Sequence, residues 1–154
     1  MIYYADTSVL VKRHVAETGR TWVRSITHPA TGNTIFTAQI SLVELYSALN
    51  RRLREKSVSA LRYSRLVSII NQTWSLQYIV YIVVALATPV LDTAKQLVER
   101  HPLRAYDAVQ LASAVHARRT LPTQLSSIAF LSADTRLLDA AQAEGFTTDN
   151  PNFY

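Results

Sequence analysis

Ile2-Tyr3-Tyr4-Ala5-Asp6-Thr7-Ser8-Val9-Leu10-Val11 is the stretch whose reading decides the fold. Its β-branched and aromatic start, Ile2 to Ala5, has the character of a buried strand, and Val9 to Val15 reads as the helix that follows. Between the two stands a single carboxylate, Asp6. An acid there sits at the carboxyl end of a strand, the edge at which open α/β sheets place their ligands.

Outward from this unit the pattern repeats. Tyr78 to Val84 and Ile128 to Leu131 have strand character, and Thr34 to Thr37 is a shorter candidate. Helix-length segments separate and follow them: Gly19 to Thr27, Ile40 to Glu55, Val58 to Gln72, Pro89 to Arg100, Tyr106 to Arg119 and Thr135 to Glu144. Strands alternating with helices predict a parallel sheet covered on both faces. Thr88-Pro89 suits a capped helix start, Pro102 a stop, and Gly145 the position just past the last helix. The longest apolar stretch, Tyr78 to Ala87, is too short for the roughly 20 residues of a membrane span and is expected to be a central strand running into a turn. The closing residues 149–154 read as a tail.

The chain has 154 residues, about half of them apolar, which favours one domain with a sufficient core. It has no cysteine, so disulfides and thiolate metal sites are excluded and a reducing compartment, the cytoplasm, is expected. Nothing at the N-terminus resembles a signal peptide, because Asp6 interrupts the apolar run and Lys12, Arg13 and His14 follow rather than precede it. The net charge of +5 comes from 16 Lys and Arg against 11 Asp and Glu. Bases cluster at Arg51-Arg52-Leu53-Arg54, at Arg62 and Arg65, and at Arg118-Arg119, a balance that permits a polyanionic partner.

Three further acids join Asp6 as candidates: Glu44, Asp107 and Asp134. Each has a structural explanation. Ser41-Leu-Val-Glu44 matches a capping box, and Asp6, Asp107 and Asp134 all stand where a carboxylate can cap a helix. Taken together they suggest more. In a parallel sheet Asp6 and Asp134 emerge at the same edge, and Asp107 opens a helix whose residues Ala105, Tyr106, Ala108, Val109, Leu111, Ala112, Ala114 and Val115 predict burial. Were the helix carrying Glu44 to start at Thr37, that glutamate would lie too deep to cap and would share a face with Ile40 and Ala48. Carboxylates converging on one edge repel unless a cation lies among them, and oxygen-only ligands point to Mg²⁺ or Mn²⁺ rather than zinc. His14, His28, His101 and His116 show no ligand spacing.

The motifs Tyr4-Ala-Asp6-Thr-Ser8, Ser41-Leu-Val-Glu44-Leu, Leu103-Arg-Ala-Tyr-Asp107-Ala-Val-Gln-Leu-Ala-Ser-Ala114 and Phe130-Leu-Ser-Ala-Asp134-Thr-Arg-Leu-Leu138 resemble those of a PIN domain, and within that superfamily the VapC-type toxins of toxin–antitoxin pairs. The resemblance runs from Tyr3 to about Phe146. It implies a three-layer α/β/α fold with a central parallel sheet of four to five strands, a PIN domain over residues 1–148 and a C-terminal tail over 149–154. It also implies a metal-dependent endoribonuclease in which Asp6, Glu44, Asp107 and Asp134 bind one or two Mg²⁺ or Mn²⁺ ions. By the same resemblance Ser8 orients the site and Arg104 meets phosphate. Further implied are a cognate antitoxin partner and a homodimer.

Phosphodiester hydrolysis needs an activated water and relief of phosphate charge, both within reach of a carboxylate-held metal. With the four site acids neutralised, 16 bases face 7 remaining acids, which suits an RNA backbone, and Arg51, Arg52 and Arg54 follow Glu44 on one helix. A second class is a catalytically inactive PIN-fold module that binds RNA or protein. A third, phosphotransfer through Asp6 as nucleophile, would want an acid two residues on, where Ser8 stands, and there is no Gly-rich phosphate loop.

Overall fold

The computed structural model describes residues 1–75, 81–122 and 127–154. The opening stretch folds as read: β1 (Ile2–Ala5) ends at Asp6, which caps α1 (Thr7–His14). Then follow α2 (Arg20–Ile26), β2 (Thr34–Ala38), α3 (Ser41–Arg54), α4 (Ala60–Ser75), β3 (Ile82–Val84), α5 (Thr88–Arg100), α6 (Ala105–Thr120), β4 (Ala129–Leu131), α7 (Thr135–Ala143) and β5 (Thr147–Asp149). Among the described residues these strands make one sheet in the order β3-β2-β1-β4-β5, with every pairing parallel.

The alternation of side chains along the strands builds two cores. Ile2, Tyr4, Phe36, Ile82 and Phe130 pack with residues of α5, α6 and α7 such as Leu97, Leu111 and Leu137. Tyr3, Ala5, Ile35, Val83 and Leu131 pack instead with α1 to α4, against Leu10, Val23, Leu45 and Ile70. Period-two side chains on a sheet apolar on both sides require helices on both faces, and the result is a three-layer α/β/α fold. Tyr4 stacks on Phe130 with ring centroids 5.1 Å apart, which ties the two central strands together by about 0.5–1.5 kcal/mol beyond simple burial.

Topology places the site. From β1 the chain moves outward through β2 to β3, then crosses back so that β4 lies on the other side of β1. The β1–β4 boundary is therefore the point where strand order reverses, and a crevice opens there at the carboxyl ends. Ala5 is in register with Leu131, so Asp6 and Ser132 leave the sheet side by side, and the Asp6 amide donates to the Leu131 carbonyl at 3.2 Å.

Several expectations are corrected. Residues 78–80 of the strand expected at Tyr78–Val84 lie outside the described residues, and the remainder, β3, is an edge strand rather than a central one; its apolar character reflects cover from both helix layers. Helix α3 begins at Ser41, within one residue of the expected start at Ile40, and the alternative start at Thr37 is excluded because β2 continues to Ala38. Thr88 is already helical, with Ala87 in the cap position.

Residues 149–154 are not a loose tail. Asp149 closes β5, Asn150 and Pro151 are buried, and Tyr154 stacks on Trp22 with centroids 4.3 Å apart. The short polar Thr147-Thr148-Asp149 carries no apolar signal and is a strand because its backbone completes the ladder beside β4.

Gly19 shows how closely the C-terminal segment is held. Its φ of +82° is a left-handed conformation, and a Cβ there would overlap the Pro151 carbonyl. Gly19→Ala should therefore cost more than about 1 kcal/mol, a fall of at least about 2–4 °C in Tm, measured by thermal denaturation. An unchanged Tm would show that the C-terminal turn does not pack on α2.

Candidate active site

Asp6 is almost completely buried, with 6% of its surface exposed. Its Oδ1 accepts from the Ser8 hydroxyl at 2.6 Å and the Val9 amide at 3.1 Å, and its Oδ2 accepts from the Ser132 hydroxyl at 2.8 Å. Burial pushes its pKa up to about 6 despite these three donors, and the charge of Glu44 adds to the rise. Capping α1 is thus real, but a carboxylate used only as a cap does not need burial beside another acid.

Ser8 and Ser132 join the two strand ends. Ser8 donates to Asp6 while its oxygen accepts from the Ala133 amide at 2.8 Å, and Ser132 donates to Asp6 while accepting from the Asp134 amide at 3.0 Å. Each hydroxyl has its proton directed at Asp6 and a lone pair directed at the loop leading to α7. That loop delivers Asp134, which caps α7 through the Arg136 and Leu137 amides and lies 3.6 Å from the Arg136 guanidinium.

Glu44 does not form the capping box its sequence allows. Ile40 takes the cap position, and the Ser41 hydroxyl accepts from Thr37 and Gln110 instead of serving its own helix. The Glu44 carboxylate turns inward, where Oε2 accepts from the Thr7 hydroxyl at 2.5 Å and the Gln110 amide nitrogen at 2.7 Å. Gln110 in turn accepts from the Tyr4 hydroxyl at 2.7 Å. Tyr4, Thr7, Ser41 and Gln110, from β1, α1, α3 and α6, thus form one hydrogen-bond network around the glutamate. Sequence reasoning had not marked Gln110 or Ser132; the signal for Gln110 is a long amide on an otherwise apolar helix, and for Ser132 its place beside Asp6 in the strand register.

Asp107 lies in the first turn of α6. Burial raises its pKa, the charges of Asp134 and Glu44 raise it further, and the Arg104 backbone N–H and guanidinium oppose the rise. The electrostatic links run from Asp6 to Glu44, from Glu44 to Asp107 and from Asp107 to Asp134, so all four acids belong to one field. Their donor chemistry, all oxygen and mutually repelling, fits a hard divalent cation. Among the described residues, however, no three acidic or histidine side chains converge on a common point as they stand.

A groove of about 520 Å³ opens beside these acids. Thr7, Ser8, Glu44, Tyr106 and Ala133 line its acidic end, and Arg51, Arg52 and Arg54 line its basic end along α3. Asp6, Asp107 and Asp134 each adjoin a lining residue in the chain. Arg52 is engaged by Glu17 at 2.8 Å, whereas Arg51 is largely exposed and only 4.0 Å from Glu55. Arg104 is exposed at the cap position of α6.

The histidines hold structure. His14 is buried, and its pKa is lowered to about 4 by that burial and by Arg13, Arg20 and Arg24. His101 contacts Glu144 at 2.8 Å, and His116 contacts Thr93.

The model of the PIN domain family matches residues 3–143, nearly the whole chain. The chain belongs to the PIN domain family. No curated protein sequence matches it. Among solved structures it is similar to a chain in the crystal structure of VapBC2 from Rickettsia felis bound to a DNA fragment from their promoter, with a TM-score of 0.62 and 13% identity over 97% of this chain and 98% of that one. At that identity the likeness is one of fold.

The raised pKa of Asp6 makes this PIN domain's stability depend on pH. Because the folded value of about 6 exceeds the ordinary carboxylate value, the favourable contribution is complete below about pH 4 and is lost as pH rises through 6. In chelator at about pH 7.5, Asp6→Asn should be more stable than the wild type by roughly 1–3 kcal/mol in urea denaturation, and the gap should close toward pH 4. A pH-independent gap would contradict the shift.

Proposed function

We propose that this chain is a metal-dependent endoribonuclease, the toxin of a type II toxin–antitoxin pair. The observation that carries the proposal is the groove in which Glu44 and the loop to Asp134 share walls with Arg51, Arg52 and Arg54. A phosphate backbone lying on the arginines would present a phosphodiester to the acids. Membership of the PIN family, whose members are nucleases, supports the hydrolytic reading, and the VapBC name of the Rickettsia protein supports the toxin assignment.

Asp6 and Asp107 are the proposed principal ligands of Mg²⁺ or Mn²⁺, with Glu44 and Asp134 binding through water or accepting the proton of the attacking water. When bound, the metal supplies acidified water and neutralises charge on the phosphate oxygens. The protein supplies position. Ser8 and Ser132 fix both oxygens of Asp6, and Thr7 and Gln110 fix the carboxylate of Glu44 by donating to its Oε2. Arg104, whose charge already acts on Asp107, meets a phosphate oxygen at the far side, and Arg51 meets the backbone further along.

The proposed partners are an RNA substrate and a cognate antitoxin protein, with a homodimer as the assembly and the cytoplasm as the location. No helix among the described residues is long and apolar enough to cross a membrane.

A catalytically inactive PIN-fold binding module is the second reading, favoured by the fact that the acids do not converge as they stand. One set of assays separates the two. The purified chain should cleave unstructured RNA with Mg²⁺ or Mn²⁺ and not with chelator. Asp6→Asn should abolish cleavage while the protein stays folded, and Glu44→Gln should lower the rate by roughly 10²–10⁴-fold. Either ion should also raise the wild-type Tm. Full cleavage by Asp6→Asn would sink the nuclease assignment, and absence of both cleavage and metal stabilisation would favour the binding module.

A further inference from the structure

Several aromatic side chains of this fold stack on an aromatic or cationic neighbour, and Phe153 in the C-terminal turn is 80% exposed. Tyr4 stacks on Phe130, Tyr154 on Trp22, Tyr81 lies against Trp74 and Arg13, and Phe146 lies between Phe130 and Arg118. Tyr106 differs. It is 59% exposed although the helix behind it is buried at Ala108, from Gln110 to Val115 and at Ala117, and among the described residues its ring stacks on no aromatic or cationic group. The expected burial of α6 fails in its first turn, where Ala105 and Tyr106 are both exposed.

The place of the exposed ring is specific. Tyr106 immediately precedes Asp107 and lines the groove together with Ser8, Val43, Glu44 and Ala133. Its backbone belongs to a helix packed by Leu111, Ala112 and Val115, so the ring is carried on a rigid support and costs little entropy to order. The same groove carries Arg51 and Arg54. A groove with guanidinium groups along one wall and an uncovered aromatic face beside the acids matches a single nucleic acid strand, whose phosphates and base faces are both accessible. In a duplex the base faces are hidden within the stack.

We propose that Tyr106 is a nucleobase-binding platform: its ring stacks on an unpaired base next to the phosphate presented to the acids. This rests on the ribonuclease reading and adds a base subsite to it. The phosphate contacts of Arg51 and Arg54 carry no sequence information, so contact with a base falls to the ring.

The test is a double cycle on binding and cleavage. Short unstructured RNA oligonucleotides, intact or abasic at one position in turn, are titrated against the wild type, Tyr106→Ala and Tyr106→Phe by fluorescence anisotropy in chelator. They are then incubated with Mg²⁺ or Mn²⁺. Tyr106→Ala and removal of one particular base should each weaken wild-type binding by roughly 5- to 150-fold, and the two together by no more than either alone. Tyr106→Phe, which keeps the ring, should retain the affinity. Binding by Tyr106→Ala equal to that of the wild type, or losses that multiply, would overturn the proposal. Coupled binding without cleavage by the wild type would remove the nuclease assignment and leave the base platform; cleavage with no loss in Tyr106→Ala would do the reverse.

Discussion

The buried carboxylate of Asp6 is the constraint on which the rest of the site depends. It stands where strand order reverses, with three donors on its two oxygens, and burial still lifts its pKa to about 6. The two serine hydroxyls that hold it also hold the Ala133 and Asp134 amides, so fixing one carboxylate fixes the loop that carries another. The central pair of strands is locked beneath them by the Tyr4–Phe130 stack. A fold that only needed a helix cap would have no reason to keep this charge beside Glu44 and away from water.

A second relation binds the acids to the basic surface. Helix α3 carries Glu44 at its start and Arg51, Arg52 and Arg54 in its last turn, so one rigid rod spans both ends of the groove. Favourable placement of bases near a helix C-terminus and an acid in the first turn suits the helix dipole as well. Structural and functional preferences point the same way here, which explains why each residue, taken singly, has an adequate local explanation. Gln110 and Thr7 break the tie for Glu44: two donors on one oxygen hold the carboxylate toward the interior rather than toward its own helix end.

Much of the fold was legible because apolar periodicity is a local signal. Among the described residues strands β1, β2 and β4 and helices α1 to α7 lie where patterning and punctuation put them, and Gly145, with φ +80°, follows α7 as its C′ residue. What was not legible is long-range. The Gln110 contacts span 66 residues to Glu44 and 106 to Tyr4, and no spacing in the sequence announces them. Strand β5 is three polar or half-polar residues whose order comes from backbone pairing alone, and the position of β3 at the edge follows from topology rather than composition. The exposure of Tyr106 is hidden in the sequence because an apolar composition predicts burial along the whole of α6, whereas its first turn lines the groove.

The proposal that Asp6 holds a cation is tested most directly through the proton this carboxyl group binds. Calorimetric titration of Mg²⁺ into the chain, repeated in buffers of different ionisation enthalpy, counts the protons released on binding. With Asp6 near a pKa of 6, binding at pH 6 should release about half a proton from this group, falling toward zero by about pH 8, and Asp6→Asn should release none from it. Binding with no proton release at any pH, or an equal release from Asp6→Asn, would contradict the account.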